Sequence, residues 1–258
     1  MQPKTYEKDN NTTPVNLIID IGNTTAKVAF FDKSEMVCRL RTDTDHLVEL
    51  LKNDNHTTQC RQAIVSTTAN LPTSLTQLTE SLKIKTLWLN YQTRLPFVND
   101  YKTPQTLGPD RVAAVAGAMN TWPEENVLVI DAGSCITYDL LTADGHYKGG
   151  NISPGIKMRL RAMNEHTARL PLVTTNGELP PMGHDTQTAL RAGSLMGVKY
   201  EIEGYIHYLY KGYTNGRVVL TGGDADILKD LLPKTAVCDN HLVLRGLDFI
   251  LQYNEKHI

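Results

Sequence analysis

The stretch NLIIDIGNTTAKVAFFD, Asn16–Asp32, decides how the chain is read. A short apolar run ends in Asp20, a polar turn follows at Gly22, and a second apolar run closes at Phe31. Runs of this length on either side of turn residues predict two strands of a hairpin. Gly22 has no Cβ, so the chain can turn sharply there and leave its amides open. Asn23, Thr24 and Thr25 add side-chain donors beside them. Such a turn can hold phosphate oxygens, and Asp20 can hold Mg²⁺ through water. A plain hairpin turn uses the same residue types, so the segment alone does not separate binding from structure.

The pattern returns at Asn126–Gly145, NVLVIDAGSCITYDLLTADG, which sets Asp131 under Asp20 and Gly133 under Gly22. An internal repeat of this kind implies a duplicated domain. The two turns are then expected to face each other across a cleft, where a nucleotide polyphosphate would be gripped from both sides and the two carboxylates would handle cations. A duplication that kept its turn chemistry without a function would leave the same trace.

Outward from the hairpins, Met36–Arg41 reads as a third strand, Asp45–Lys52 as a short helix and Gln62–Ser66 as a strand. Leu71–Leu82 has helical spacing, and Thr86–Leu89 reads as a strand. Residues 91–108 show no period and contain Pro96, Pro104 and Gly108; a loop that long inside a compact domain is often functional. Pro109 opens an alanine-rich helix, as proline at a first helical turn can. In the second half, Tyr147–Ser153 extends the sheet, and Pro154–Glu165 and Asp185–Lys211 read as helices. Arg217–Thr221 is a strand running into Gly222 and Gly223, and Leu242–Gln252 closes the chain as a helix. The expected architecture is α/β, with a disordered tail at 1–14 and domains at 15–122 and 123–258.

Two further groups can carry chemistry. Gly108-Pro109-Asp110-Arg111 ends the long loop and opens a helix, where the helix dipole favours the Asp110 carboxylate. That carboxylate could take a proton from a substrate hydroxyl, and Arg111 could bind an anion bidentately. Pro and Asp are also ordinary helix-start residues. Gly222-Gly223 would let a flat ligand such as a base lie against the backbone, and a tight loop would need the same glycines.

Composition narrows the classes. The chain has 258 residues, 41% hydrophobic and 21% charged, as in an ordinary globular protein. A net charge of -2 and scattered Lys and Arg give no field that would draw nucleic acid. Cys38, Cys60, Cys135 and Cys238 lie far apart with no metal spacing, so reduced thiols in the cytoplasm are expected. The polar N-terminus has no apolar core of a signal peptide, and no apolar run reaches membrane-spanning length. There is no P-loop, no dinucleotide fingerprint, no protein-kinase motif set and no HExxH.

Taken in order, DIGNT at 20–24, GPDR at 108–111, DAGSCIT at 131–137, GGNISPG at 149–155, HTARLP at 166–171 and TGG at 221–223 resemble the type III pantothenate kinases, members of the actin, Hsp70 and sugar-kinase superfamily. The resemblance implies two ribonuclease-H-like, actin-like ATPase domains with ATP in an interdomain cleft, and phosphorylation of pantothenate to 4′-phosphopantothenate at the start of coenzyme A synthesis. It implies that Asp20, Ile21, Gly22, Asn23, Thr24, Thr25, Ala26 and Lys27 line the ATP phosphates and that Ser134 touches ATP. Tyr101, Gly108, Pro109, Asp110, Arg111 and Thr186 would contact pantothenate, with Asp110 as proton acceptor. Asp131 would hold potassium or ammonium, Mg²⁺ would accompany ATP near Asp20, and the enzyme would be a homodimer. Ser134 and Cys135 stand where the family usually has Thr-Ala, and serine keeps the hydroxyl. Two rivals remain: a related kinase acting on another small hydroxylated acid or sugar, and a non-catalytic accessory of transcription, which predicts a lost base or a broken phosphate turn.

Overall fold

The computed structural model describes residues 15–22, 25–68, 73–214, 216–234 and 236–255. The first half runs β1 (Val15–Ile21), β2 (Thr25–Asp32), β3 (Glu35–Asp43), α1 (Leu47–Asn53), β4 (Cys60–Thr67), α2 (Thr73–Ser81), β5 (Lys85–Trp88), β6 (Val98–Asn99) and α3 (Pro109–Thr121). The second runs β7 (Asn126–Ala132), β8 (Cys135–Leu141), β9 (His146–Pro154), α4 (Ile156–Glu165), α5 (Thr186–Gly212), β10 (Gly216–Thr221), α6 (Ala225–Lys229), β11 (Ala236–Cys238) and α7 (Leu242–Asn254).

Of the described residues, those up to Thr93 together with those from Leu247 onward form one compact unit, and those from Arg94 to Gly246 form the other. The division falls at Thr93/Arg94. The reason is tertiary. Strand β6 pairs in parallel with β9, and α3 packs on β7 and β8, so the whole segment from Arg94 joins the second sheet.

The first sheet has the order β3-β2-β1-β4-β5, with β1–β2 and β2–β3 antiparallel and β1–β4 and β4–β5 parallel. Strand β1 is central and its apolar residues are buried on both faces, as expected of a strand written as a near-continuous apolar run. Strand β3, at the edge, alternates exposed and half-buried residues. The second sheet has the order β11-β10-β7-β8-β9-β6. Here β7–β8 and β8–β9 are antiparallel, and β7–β10 and β10–β11 are parallel. Strands β7, β8, β9, β10 and β11 therefore repeat the order and directions of β1 to β5, and β6 is an addition. The duplicated ribonuclease-H-like fold is present in both units.

Successive side chains of a strand face opposite sides of the sheet. Ile136 and Tyr138 of β8 pack with Val198 and Ile202 of α5 in one buried cluster. Asp139, one residue on, points to the other side and meets the start of α3. The long helix α5 begins with a capping box: the Asp185 side chain accepts from the Thr188 N–H at 2.8 Å, and the Thr188 hydroxyl oxygen accepts from the Asp185 N–H at 3.1 Å. No helix among the described residues is long and apolar enough to cross a membrane.

Helix α3 lies directly on the first turns of α7. A Cβ on Gly246 would overlap the Ala113 carbonyl oxygen, and one on Gly117 would overlap that of Leu242. Replacing glycine by alanine in a helix is worth about 1 kcal/mol of propensity. Overpacking costs about 1–3 kcal/mol, and here the obstacle is rigid backbone, so the clash wins. Gly246→Ala is therefore expected to lower the melting temperature by several degrees, whereas Gly204→Ala, in open space on α5, should raise it or leave it unchanged. Thermal unfolding of the two variants side by side checks this; a Gly246→Ala protein as stable as the parent would refute the close helix contact.

Candidate active site

In the first unit, β1 delivers Asp20 at its end, opposite Lys27 of β2. The Asp20 carboxylate is largely buried, and Lys27 Nζ stands 3.6 Å from its Oδ2. The turn is pinned on three sides. The Gly22 N–H donates to the Thr25 carbonyl at 3.0 Å, the Thr44 hydroxyl to the Gly22 carbonyl at 3.3 Å, and the Thr68 N–H to the Ile21 carbonyl at 3.0 Å. Ile21 and Ala26 are fully buried, so they can offer a ligand only backbone. Asn23 and Thr24 lie outside the described residues. Ser66 on β4 is in register with Asp20, and its buried hydroxyl has no hydrogen-bond partner among the described residues. A carboxylate and a spare hydroxyl are hard oxygen donors, which is the donor set Mg²⁺ with phosphate takes.

In the second unit the repeat is visible atom by atom. Asp131 ends β7 opposite Thr137, and the Gly133 N–H donates to the Cys135 carbonyl at 2.9 Å, closing a turn one residue shorter than the first. The Asp224 N–H donates to the Ala132 carbonyl at 2.9 Å, the counterpart of Thr68 and Ile21. Asp131 is half-buried, less enclosed than the strand pattern suggests. Gly222 has a φ of 98°, and a Cβ there would overlap Asp131 Oδ1 and the Ala132 carbonyl oxygen. The glycine thus makes room for the Asp131 carboxylate. A carboxylate and a carbonyl oxygen are hard donors, of the kind that hold hard cations. Ser134 and Cys135 are exposed. The Gly155 N–H donates to the Ser134 carbonyl at 3.1 Å, and a Cβ on Gly155 would overlap the carbonyl oxygens of Gly133 and Ser134.

The same unit holds the GPDR segment. Gly108 caps α3, Pro109 is its first residue and Asp110 sits in its first turn, half-buried, with Oδ1 accepting from the Arg111 N–H at 2.9 Å. A Cβ on Gly108 would overlap that same Oδ1. Arg111 is 5% exposed and Asp139 fully buried. The guanidinium reaches Asp139 Oδ1 through Nη2 at 2.6 Å and Nε at 3.0 Å, and the Tyr147 hydroxyl donates to the same oxygen at 2.6 Å. Burial works against the Arg111 charge, but the hydrogen bond and charge of Asp139 outweigh it and push its pKa up. Tyr101 covers the guanidinium, ring centroid to Cζ 5.6 Å, and stacks near Tyr147 at 6.3 Å. Thr186 is the exposed first residue of α5.

The comparisons decide the family. The type III pantothenate kinase family matches residues 16–208. The chain is also 46% identical, over 244 residues, to a type III pantothenate kinase of Bacteroides fragilis, covering 95% of this chain and all of that one. The chain belongs to the type III pantothenate kinase family. Among solved structures it is similar to a Campylobacter jejuni protein crystallised as a candidate Baf family transcriptional activator, at TM-score 0.60 and 26% identity, covering 93% of this chain and 99% of that one. The activator of 2-hydroxyisocaproyl-CoA dehydratase from Clostridium difficile, solved with ADPNP, matches at TM-score 0.54 and 12% identity over 95% and 98% of the chains, a likeness of fold alone.

The motif reading of this family member picks out the two turns and GPDR. It gives no role to Asp139 or Tyr147, names Gly150 and Gly155 only within the GGNISPG run, and leaves Gly222 open between a ligand surface and a tight loop. The glycine-rich 149–155 segment carried the signal. A Cβ on Gly150 would overlap the Tyr138 carbonyl oxygen and lie 2.8 Å from Asp139 Oδ1, so glycine is what lets the buried carboxylate fit. Gly222 and Gly223 give a direct check. Gly222→Ala combines a strained φ with overlap on Asp131 and is expected to lower thermal stability and cut ATP-dependent activity at least tenfold. Gly223→Ala meets nothing within 4 Å and should melt like the parent. Melting curves that rank the two the other way would contradict the placement of Asp131.

Proposed function

We propose that the chain transfers the γ-phosphoryl group of ATP to the primary hydroxyl of pantothenate, giving 4′-phosphopantothenate, the first step of coenzyme A synthesis. The observation that carries the reading is the survival of Asp20, Asp110 and Asp131 together, each at a strand end or helix start, in a chain of this family. The Asp20–Lys27 turn would bind the ATP phosphates, partly through backbone at Ile21 and Ala26, and the Ser134 hydroxyl would add a contact. Tyr101, Gly108, Pro109, Asp110, Arg111 and Thr186 would bind pantothenate.

The chemistry needs alignment and charge neutralisation more than covalent help. The Asp110 carboxylate accepts the hydroxyl proton as the substrate oxygen bonds to the γ-phosphorus and the bond to the ADP oxygen breaks. Arg111 meets the pantothenate carboxylate, and Lys27 adds positive charge near the phosphates. Asp20 would hold Mg²⁺ with ATP and Asp131 would hold potassium or ammonium, and these ions would supply positive charge against the spreading phosphoryl charge.

We also place the enzyme in the cytoplasm, where its four free cysteines would stay reduced, as a homodimer without nucleic-acid or membrane partners. The exposed Tyr200, Tyr208 and Tyr210 of α5, and exposed Thr186 at its start, suit contact with a second copy.

The Campylobacter likeness favours one rival, a non-catalytic accessory of transcription. ADP release with pantothenate, with a hexose and with no acceptor separates the readings: the kinase releases ADP with pantothenate alone, and the accessory with none. Asp110→Asn should keep ATP binding and lower turnover by about a hundredfold or more, the usual loss with a general base. Near-normal turnover in the folded variant would remove Asp110 from that role. Activity should fall when sodium replaces potassium or ammonium, because a fixed oxygen cage favours one ionic radius. Equal rates in sodium and potassium would argue against a cation at Asp131.

A further inference from the structure

Among the described residues of the second unit, the fully buried carboxylate is that of Asp139, and the chemistry above gives it no part. It sits on β8 with its oxygens against the first turn of α3 and against β9. Four groups meet there: the Asp139 carboxylate, the Arg111 guanidinium, the Tyr147 hydroxyl and the Tyr101 ring. A buried ion pair adds little net stability, because desolvating two charges consumes most of their attraction. Apolar packing would hold α3 on the sheet as well, and the fold gives up a Cβ at Gly150 to admit the carboxylate. Orientation explains the arrangement better than stability does.

A guanidinium has five N–H donors in a planar fork. Asp139 takes the Nε side, through Nε and Nη2, which fixes the plane, and the rest of the guanidinium lies against Tyr101, itself a candidate contact of the acceptor. Arg111 follows Asp110 directly in the first turn of α3, and the Asp110 carboxylate is held by the Arg111 backbone N–H, independently of the guanidinium. We propose that Asp139 is a positioning residue that orients the Arg111 guanidinium, with Tyr101 beside it, toward the carboxylate of the acceptor and so makes the site select an acid over its neutral analogue. The proposal rests on the reading of pantothenate as acceptor.

The test compares kcat/KM for pantothenate with that for pantothenyl alcohol, which carries CH₂OH in place of the carboxylate. The parent should prefer the acid. Asp139→Asn should lower kcat/KM for the acid by about 10–100-fold, the usual cost of removing a group that orients a binding residue, while the alcohol and the KM for ATP change little. Tyr147→Phe keeps the ion pair and removes one hydrogen bond, so it should fold and show the same loss of preference to a smaller degree. If Asp139→Asn does not fold, Tyr147→Phe decides alone. Equal losses on both acceptors, or a lower melting temperature with the acid preference intact, would overturn the proposal. A parent that phosphorylates neither acceptor would instead overturn the reading beneath it.

Discussion

A central strand buried on both faces carries a charge only near its end or where a counter-charge meets it, because an unpaired carboxylate in the core is costly. Strands β1 and β7 both obey this constraint. Leu17, Ile18 and Ile19 precede Asp20, and Val127, Val129 and Ile130 precede Asp131, all of them fully buried. The carboxylate arrives where the strand ends, and the neighbouring parallel strand secures that end by an N–H from Thr68 or Asp224. Ligands of open α/β sheets gather at the carboxyl ends of such strands. The same rule, applied twice by duplication, places one such turn in each unit.

The hairpins are legible in the sequence because apolar run, polar turn and apolar run state them locally. The long helix α5 is legible from its period and its Asp185 start. The unit boundary is not, because α3 joins the second sheet through packing on β7 and β8, which no local pattern reports. Asp139 is equally hidden. In the run Tyr138-Asp139-Leu140 it reads as a residue on the wetter face of a strand, and its partner Arg111 lies 28 positions away. Gly150, Gly155 and Gly222 stand out as glycines, yet each is there for a carbonyl or carboxylate that only the folded chain brings near.

Arg111 shows how burial changes a functional reading. By residue type it is a free anion binder, and in the fold its Nε side belongs to Asp139. What it can offer a ligand is an oriented guanidinium rather than a mobile charge. The fold itself hosts many activities, so the function follows from this site and not from the architecture.

The most direct measurement is phosphorus NMR of the product formed from ATP and pantothenate. The account predicts one new phosphomonoester, on the 4′ oxygen of pantothenate, formed in step with ADP. Inorganic phosphate as the only product, or ATP left unchanged by an enzyme that is folded and supplied with magnesium and potassium, would contradict it.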